Sequence, residues 1–302
     1  MIMIGEKYNF ILQERELIYK SFKNLLYYEG LDVSELHDMV EREGAKLIVL
    51  NFRVSPSDEI VKYLTRLSVE KNIRFTTLEH FMEEYLLKCY IPKEFQDLHW
   101  LEDIKKYSKW QYFQKKLMDY VGVTLLFLFS LPVMLMCKKR IREQSPGPVI
   151  FKQTRIGLAN NSFVCTKFRS MNDDAEQNGA KFAEENDPRV FPWGETMRKA
   201  RFDELPQMLN IIKGEMHLIG PRPERKIWTD QFEKSIPYYN ERHLVAPGIT
   251  GWAQVMYPYG ATEEDARQKL MYDLYYIKYW NMLLDLKIVY KTAKTVIGKS
   301  GV

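Results

Sequence analysis

Three rhythms of apolar and polar residues divide this chain. The first alternates short strands with helices. "VSELHDMVEREG" puts Leu36, Met39 and Val40 on one helical stripe, with Ser34 as the expected N-cap and Gly44 as the stop. "AKLIVLN" is a short unbroken apolar run, as in a parallel strand buried on both faces. "SPSDEIVKYLTRLSVEKN" returns to the helical period with Ile60, Leu64 and Leu67 on one face. "IRFTT" reads as a second strand, and Phe81–Cys89 as a further helix. This order predicts an α/β, Rossmann-like unit. No GxGxxG follows a strand, so dinucleotide binding is not expected and a regulatory or docking role is.

The second rhythm is a single run, "YVGVTLLFLFSLPVMLMC" from Tyr120 to Cys137, which carries no charge and then breaks into "KKRIRE". As a helix its eighteen residues reach about 27 Å, close to the hydrocarbon thickness of a bilayer. Pro132 lies inside the run, where it removes a backbone hydrogen bond, and Ser130 stands two residues before it. Basic residues flank both ends: Lys115 and Lys116 before, then Lys138, Lys139, Arg140 and Arg142. A simple crossing would bias them to one side. A helix over about 117–141, bent at Pro132 and re-entering the face it left, accounts for both features. The third rhythm, beyond it, is punctuated by Gly and Pro and dense in charge. Two domains are expected: residues 1–105, the small α/β unit with its connector, and residues 106–302.

Composition refines this picture. With a mean hydropathy of -0.36 and 28% charged residues, most of the chain is soluble-like and a polytopic membrane protein is excluded. The net charge of +4 gathers around the apolar run, which points to anionic lipid headgroups and not to nucleic acid. Three scattered cysteines without a CxxC argue for a reducing compartment, and five histidines lack zinc-ligand spacing. The opening "MIMIGEKYNF" meets charge at Glu6 and has no signal-peptide core.

The densest chemistry is "RKARFDELPQMLNIIKGEMHLIGPRPE". Leu205, Met208, Leu209 and Ile212 fall on one helical face that Gly214 ends, and Pro206 is acceptable only in the first turn. Asp203 is then at or near the N-cap. An isolated Asp-Glu pair there would simply cap the helix and complement its dipole. The neighbouring Arg198, Lys199, Arg201 and Arg222 suggest more. Cations fixed around a carboxylate can hold a phosphate beside a nucleophile, and a second acid suits a divalent cation.

On these residues the chain resembles the monotopic phosphoglycosyl transferases, bacterial sugar transferases that begin assembly of exopolysaccharide, capsule, O-antigen or glycoprotein glycans. The resemblance covers roughly residues 110–302, with motifs in family order: "SPGPVIFKQTRIG", "KFRSM", "DPRV", "RFDELPQMLNIIKGEM", "GPRPE", "RHLVAPGITGWAQV", "YPYGATEEDARQKLMYDLYYIKYW" and "LDLKIVYKT". The tyrosine-rich portions look most like the exopolysaccharide-type branch.

The resemblance implies a mostly helical, monotopic transferase domain with a re-entrant helix, broken at Ser130 and Pro132. It implies that Asp203 attacks a UDP-sugar, releases UMP and passes the phosphosugar to polyprenyl (undecaprenyl) phosphate. Glu204 would be the second catalytic acid and the ligand of Mg2+. Lys167, Arg169, Arg198 and Arg222 would line the phosphate and nucleotide pocket, with Arg242 and Asp273 as looser substrate-binding candidates. The enzyme would sit on the bacterial inner membrane with its soluble parts facing the cytoplasm, and a homodimer is left open.

Two departures from the family stand out. Leu131 separates Ser130 from Pro132, and the α/β unit looks truncated, without the spans that precede it in long relatives. Tyr272, Tyr275, Tyr276, Tyr279 and Trp280 suit either a helix at headgroup level or an aromatic core stripe. The competing reading is a catalytically silent membrane scaffold that recruits glycan-assembly enzymes.

Overall fold

A computed structural model describes residues 1–30, 32–53, 55–94, 104–175, 177, 179, 187–257, 260 and 262–297. It divides into two compact units, Met1–Tyr90 and Ile91–Val302.

The first unit alternates β1 (Ile2–Ile4), α1 (Leu12–Tyr19), β2 (Leu26–Tyr28), α2 (Val33–Glu43), β3 (Leu47–Leu50), α3 (Asp58–Lys71), β4 (Arg74–Thr77) and α4 (Leu78–Phe81). Its four strands form one parallel sheet in the order β2-β1-β3-β4. The core is the expected one, with Leu36, Val40, Ile60, Leu64 and Leu67 buried against Ile2, Ile4 and Ile48. Gly44 ends α2 in the left-handed region. The N-cap is Asp32, whose side chain accepts from Ser34 N, so Ser34 is the second helical residue and not the cap. Beyond α4 the helix widens into a π turn over Met82–Leu86 and ends at Leu87, two residues short of the expected Cys89.

The second unit is built on α5 (Lys109–Gln144), which exceeds the expected span at both ends. Its early start follows from a capping box: Ser108 accepts from Gln111 N while the Gln111 side chain takes Ser108 N. At 36 residues it is about 54 Å long. Backbone helix continues through Pro132, and the buried Ser130 hydroxyl makes no hydrogen bond among the described residues. A narrow seven-residue stripe of Val123, Ser130 and Cys137, followed by Ile141, is buried. Val123, Cys137 and Ile141 join one cluster with Phe168, Met197, Met208 and Ile211. The other faces of the apolar run are open, including Leu128, Phe129 and Leu135, with Phe129 80% exposed. Such a surface does not belong to a soluble core helix, and α5 is long and apolar enough to cross a membrane.

The flanking cations divide. Lys138, Lys139, Arg140 and Arg142 are exposed, but Lys115 is buried and paired with Asp285 at 2.6 Å, so it does not face headgroups.

After α5 come β5 (Ile150–Ile156) and β6 (Ser162–Phe168), an antiparallel ribbon registered from Ile150 opposite Phe168 to Ile156 opposite Ser162. Then follow α6 (Pro192–Lys199), a 3₁₀ turn over Phe202–Gln207, α7 (Met208–Ile212), β7 (His217–Ile219), α8 (Lys226–Ser235), β8 (Gly248–Thr250), α9 (Trp252–Met256), α10 (Glu263–Tyr279) and α11 (Met282–Ile297). Strands β7 and β8 pair in parallel. Tyr272, Tyr276 and Trp280 are buried, which places them in an aromatic core and not at headgroup level; Tyr279 is exposed. The exposed apolar face lies instead on α11, at Leu283, Leu286 and Tyr290.

Candidate active site

The Asp-Glu pair is not on a regular helix N-terminus. Arg201 takes a left-handed conformation (φ 58°), and Phe202–Gln207 then coils as a 3₁₀ turn before α7 begins at Met208. Pro206 fits the tight turn, where its missing N–H costs no helical bond. The expected apolar stripe is corrected accordingly. Leu205, Met208 and Ile211 are buried, whereas Leu209 and Ile212 are each 56% exposed, because a 3₁₀ turn advances side chains by about 120° and so shifts the phase of α7. Gly214 does end the segment, with φ 81°.

Two buried polar residues pin the turn to β6. Thr166 Oγ1 donates to Pro206 O at 3.0 Å, and Asn210 Nδ2 donates to Val164 O at 2.7 Å. Asn210 Oδ1 accepts from Thr166 N. Neither residue stood out in the sequence, because a polar side chain satisfied by a strand forty residues away has no local signature.

The two carboxylates have separate environments. Glu204 is buried, and its Oε1 accepts from Lys167 Nζ and Arg222 Nη2, both at 2.9 Å. Arg201 Nη1 lies 3.7 Å from Oε2, which accepts no hydrogen bond among the described residues. These cations, Arg222 and Lys167 foremost, outweigh the burial and hold Glu204 well below the usual carboxylate range. Asp203 is pushed up, to about 6, chiefly by burial and secondarily by the charge of Glu204.

Both acids line a cavity of about 390 Å³. Among the described residues its wall carries ten Arg and Lys side chains against five Asp and Glu, a balance suited to a polyanionic ligand such as a diphosphate. All eight sequence-predicted catalytic and substrate-binding residues line it: Lys167, Arg169, Arg198, Asp203, Glu204, Arg222, Arg242 and Asp273.

Their contacts differ. Arg169 is buried, with its guanidinium on Ser145 O and Pro146 O at 2.7 Å each, which ties the end of α5 to β6. Arg242 pairs with Asp273 at 2.8 Å and donates to the Arg222 carbonyl at 2.9 Å, so it supports the backbone that carries Arg222. Burial raises Asp273 to about 6 despite that partner. Arg198 is half-exposed, and its charge acts on Asp203. Ser130 and Pro132 are outside the cavity, within α5.

The cavity also gathers Arg155, Arg189, Arg225 and Lys269, which the sequence reading did not single out. Arg155 alternates with Gln153 and Phe151 along β5, one face of which forms the wall. That alternation, inside the quoted "FKQTRIG", was the available signal.

Comparison with known proteins places these motifs in a family. The family model described as bacterial sugar transferase matches residues 110–299. A UDP-N-acetylgalactosamine-undecaprenyl-phosphate N-acetylgalactosaminephosphotransferase of Aeromonas hydrophila is 47% identical over 189 residues, 63% of this chain and 45% of the relative. A UDP-glucose:undecaprenyl-phosphate glucose-1-phosphate transferase of Xanthomonas campestris pv. campestris is 39% identical over 188 residues, 61% of this chain and 39% of the relative. The match therefore spans less than half the length of these two relatives. An exopolysaccharide production protein of Rhizobium leguminosarum bv. phaseoli is matched over 92% of its length and 59% of this chain, at 35% identity. With a family model covering the helix, the acid pair and every cationic wall of the cavity, this chain belongs to the bacterial sugar transferases.

Proposed function

We propose that this protein transfers a sugar phosphate from a UDP-sugar to undecaprenyl phosphate, as the first membrane step of a bacterial glycan such as an exopolysaccharide. The observation that carries the proposal is the split environment of Asp203 and Glu204 in a cation-walled cavity on a unit with a membrane helix. Glu204 is committed to Lys167 and Arg222. Asp203, with its affinity for protons raised, is the better nucleophile of the two.

The Asp203 carboxylate attacks the β-phosphorus of the UDP-sugar. An aspartyl O–P bond forms, the P–O bond to the α-phosphate breaks, and UMP leaves with that oxygen. A phosphate oxygen of undecaprenyl phosphate then attacks the same phosphorus, frees Asp203 and yields an undecaprenyl-diphosphate sugar. Lys167, Arg198 and Arg222 offset the charge that gathers on the phosphoryl oxygens in both steps.

Mg2+ fits this site. Glu204 Oε2 is a buried carboxylate oxygen without a hydrogen bond among the described residues, on the residue next to Asp203. Among the described residues no cluster of three His, Cys, Asp or Glu side chains could hold a metal unaided. Glu204 would therefore hold the ion together with substrate phosphates, the usual arrangement for Mg2+. Bound there, it supplies charge neutralisation for the diphosphate.

The membrane reading is an α5 that enters the cytoplasmic leaflet of the inner membrane and returns to the same face. Because its backbone stays helical through Pro132, the return is by a bend of the helix at that proline and not by a break in it. Val123 near one end of the apolar run and Cys137 and Ile141 at the other pack into one cluster of the same unit, which favours re-entry over crossing. The exposed apolar face of α11 would rest at the headgroups.

The deciding experiment incubates the full chain in vesicles with a panel of UDP-sugars, undecaprenyl phosphate and Mg2+ and follows UMP. Release with at least one sugar, and its loss in Asp203→Asn, is expected. Absence of UMP across the panel, or full activity in that variant, refutes the proposal.

A further inference from the structure

Arg222 reaches Glu204 from a segment with little support of its own. Its loop follows β7, a three-residue strand whose only sheet partner among the described residues is the three-residue β8. A two-stranded ribbon of this size does not hold its shape alone in water. The further support comes from a cluster of fully buried polar side chains that the transfer chemistry does not use.

Asp119, on α5 just before the apolar run, is 1% exposed. Its Oδ1 accepts from Leu218 N at 2.8 Å, and its Oδ2 from His217 Nδ1 at 2.5 Å. The strand thus spends one backbone donor and one side chain on a single carboxylate of the membrane helix. Gly122 lies against this strand as well, and a Cβ there would lie 2.6 Å from the mobile tip of Leu218, Cδ2. At the end of the strand the Tyr276 hydroxyl lies 3.1 Å from Ile219 O and 2.8 Å from Asp285 Oδ1, and it accepts from Lys115 Nζ. Gly220 N then donates to Thr250 O, and two residues later Arg222 donates to Glu204. From Asp119 to the cavity the bonded path is continuous.

We propose that Asp119 and Tyr276 are positioning residues for Arg222, through which the base of the membrane helix sets the geometry of the phosphate site. The role assigned to Arg222 rests on the function proposed above; the mechanical link does not. A consequence is that the cavity is complete only while α5 holds its native place, so catalysis is coupled to correct seating of the helix in the bilayer.

The test uses the full chain in phosphatidylethanolamine–phosphatidylglycerol vesicles. Phenylglyoxal modification of Arg222 is timed by mass spectrometry, with the exposed Arg53 as internal reference. Freed from its register, Arg222 in Asp119→Ala is expected to react about tenfold faster, while Arg53 is unchanged. Asp119→Asn keeps an oxygen for Leu218 N and should return the rate to within about threefold of the parent. If Asp119→Ala does not fold, Tyr276→Phe, which removes one hydroxyl from an intact ring, decides in the same direction. An unaltered Arg222 rate in Asp119→Ala, or in Tyr276→Phe where that variant stands in for it, overturns the proposal.

Kinetics supply the second arm. Asp119→Ala should lower kcat/KM for the UDP-sugar about 100-fold, the cost of a small misplacement. In an Arg222→Ala background it should lower it by less than about threefold more, because the effect runs through Arg222. Losses that multiply in full indicate general damage and refute positioning. If the parent chain releases no UMP, the functional reading falls, while the modification rates still decide the mechanical one.

Discussion

Adjacent carboxylates on one turn carry opposite shifts because their neighbours differ. Glu204 is gripped by Lys167 and Arg222, while Asp203 is dominated by burial and by the negative charge beside it. The sign of the pH dependence follows. A nucleophilic carboxylate must be ionised, and a raised pKa means that it takes up a proton sooner as pH falls. UMP release should therefore hold above the Asp203 pKa of about 6 and decline below it, well above the usual aspartate range. A kcat/KM profile whose acid limb stays near pH 4 would show that Asp203 is not the titrating nucleophile. The family resemblance of the motifs indicated which residues meet at this site, and all of them line the same cavity. It did not indicate their division of labour. Arg169 and Arg242 look like phosphate ligands in the sequence, yet their guanidinium groups are turned to backbone carbonyls and to Asp273.

At the level of elements, the turn that bears the acids is held by packing that local pattern cannot foretell. Leu205, Met208, Leu209 and Ile212 obey a helical period, but the 3₁₀ turn breaks its phase and leaves two of them outside. Nearby, α6 crosses the strand end so closely that a Cβ on Gly194 would lie 2.0 Å from Ser170 O. Backbone cannot yield as a flexible side chain can, so Gly194→Ala should destabilise the second unit by about 1–3 kcal/mol. Denaturant unfolding followed by tryptophan fluorescence checks this; an unchanged midpoint would mean that α6 slides away without loss. Gly44 is the contrast: its Cβ would meet nothing within 4 Å, and its importance is the left-handed C-cap alone.

For the whole molecule the governing question is how α5 meets the bilayer. Cys89, Cys137 and Cys165 are all buried, so exposed engineered cysteines can report on topology. Trp110 and Lys139 flank the apolar run and are exposed. Trp110→Cys and Lys139→Cys should be labelled from the same side by an impermeant maleimide in inside-out vesicles. Labelling from opposite sides would establish a crossing and end the re-entrant reading. The first unit has its own sheet and its own core within Met1–Tyr90.

The sequence alone determined the α/β alternation of the first unit, the long apolar helix over Tyr120–Cys137, and the family with its acid pair and basic motifs. These are properties of local period, of transfer free energy and of residue type, and each is written within a few consecutive turns of chain. Only the tertiary structure decided that Lys115 is buried, that Asp119 serves as the anchor of β7, and that Tyr276, within the aromatic core, turns its hydroxyl to Ile219 O and Asp285. A buried charge is tolerated only where a partner satisfies it, and those partners lie ninety-eight or more residues away.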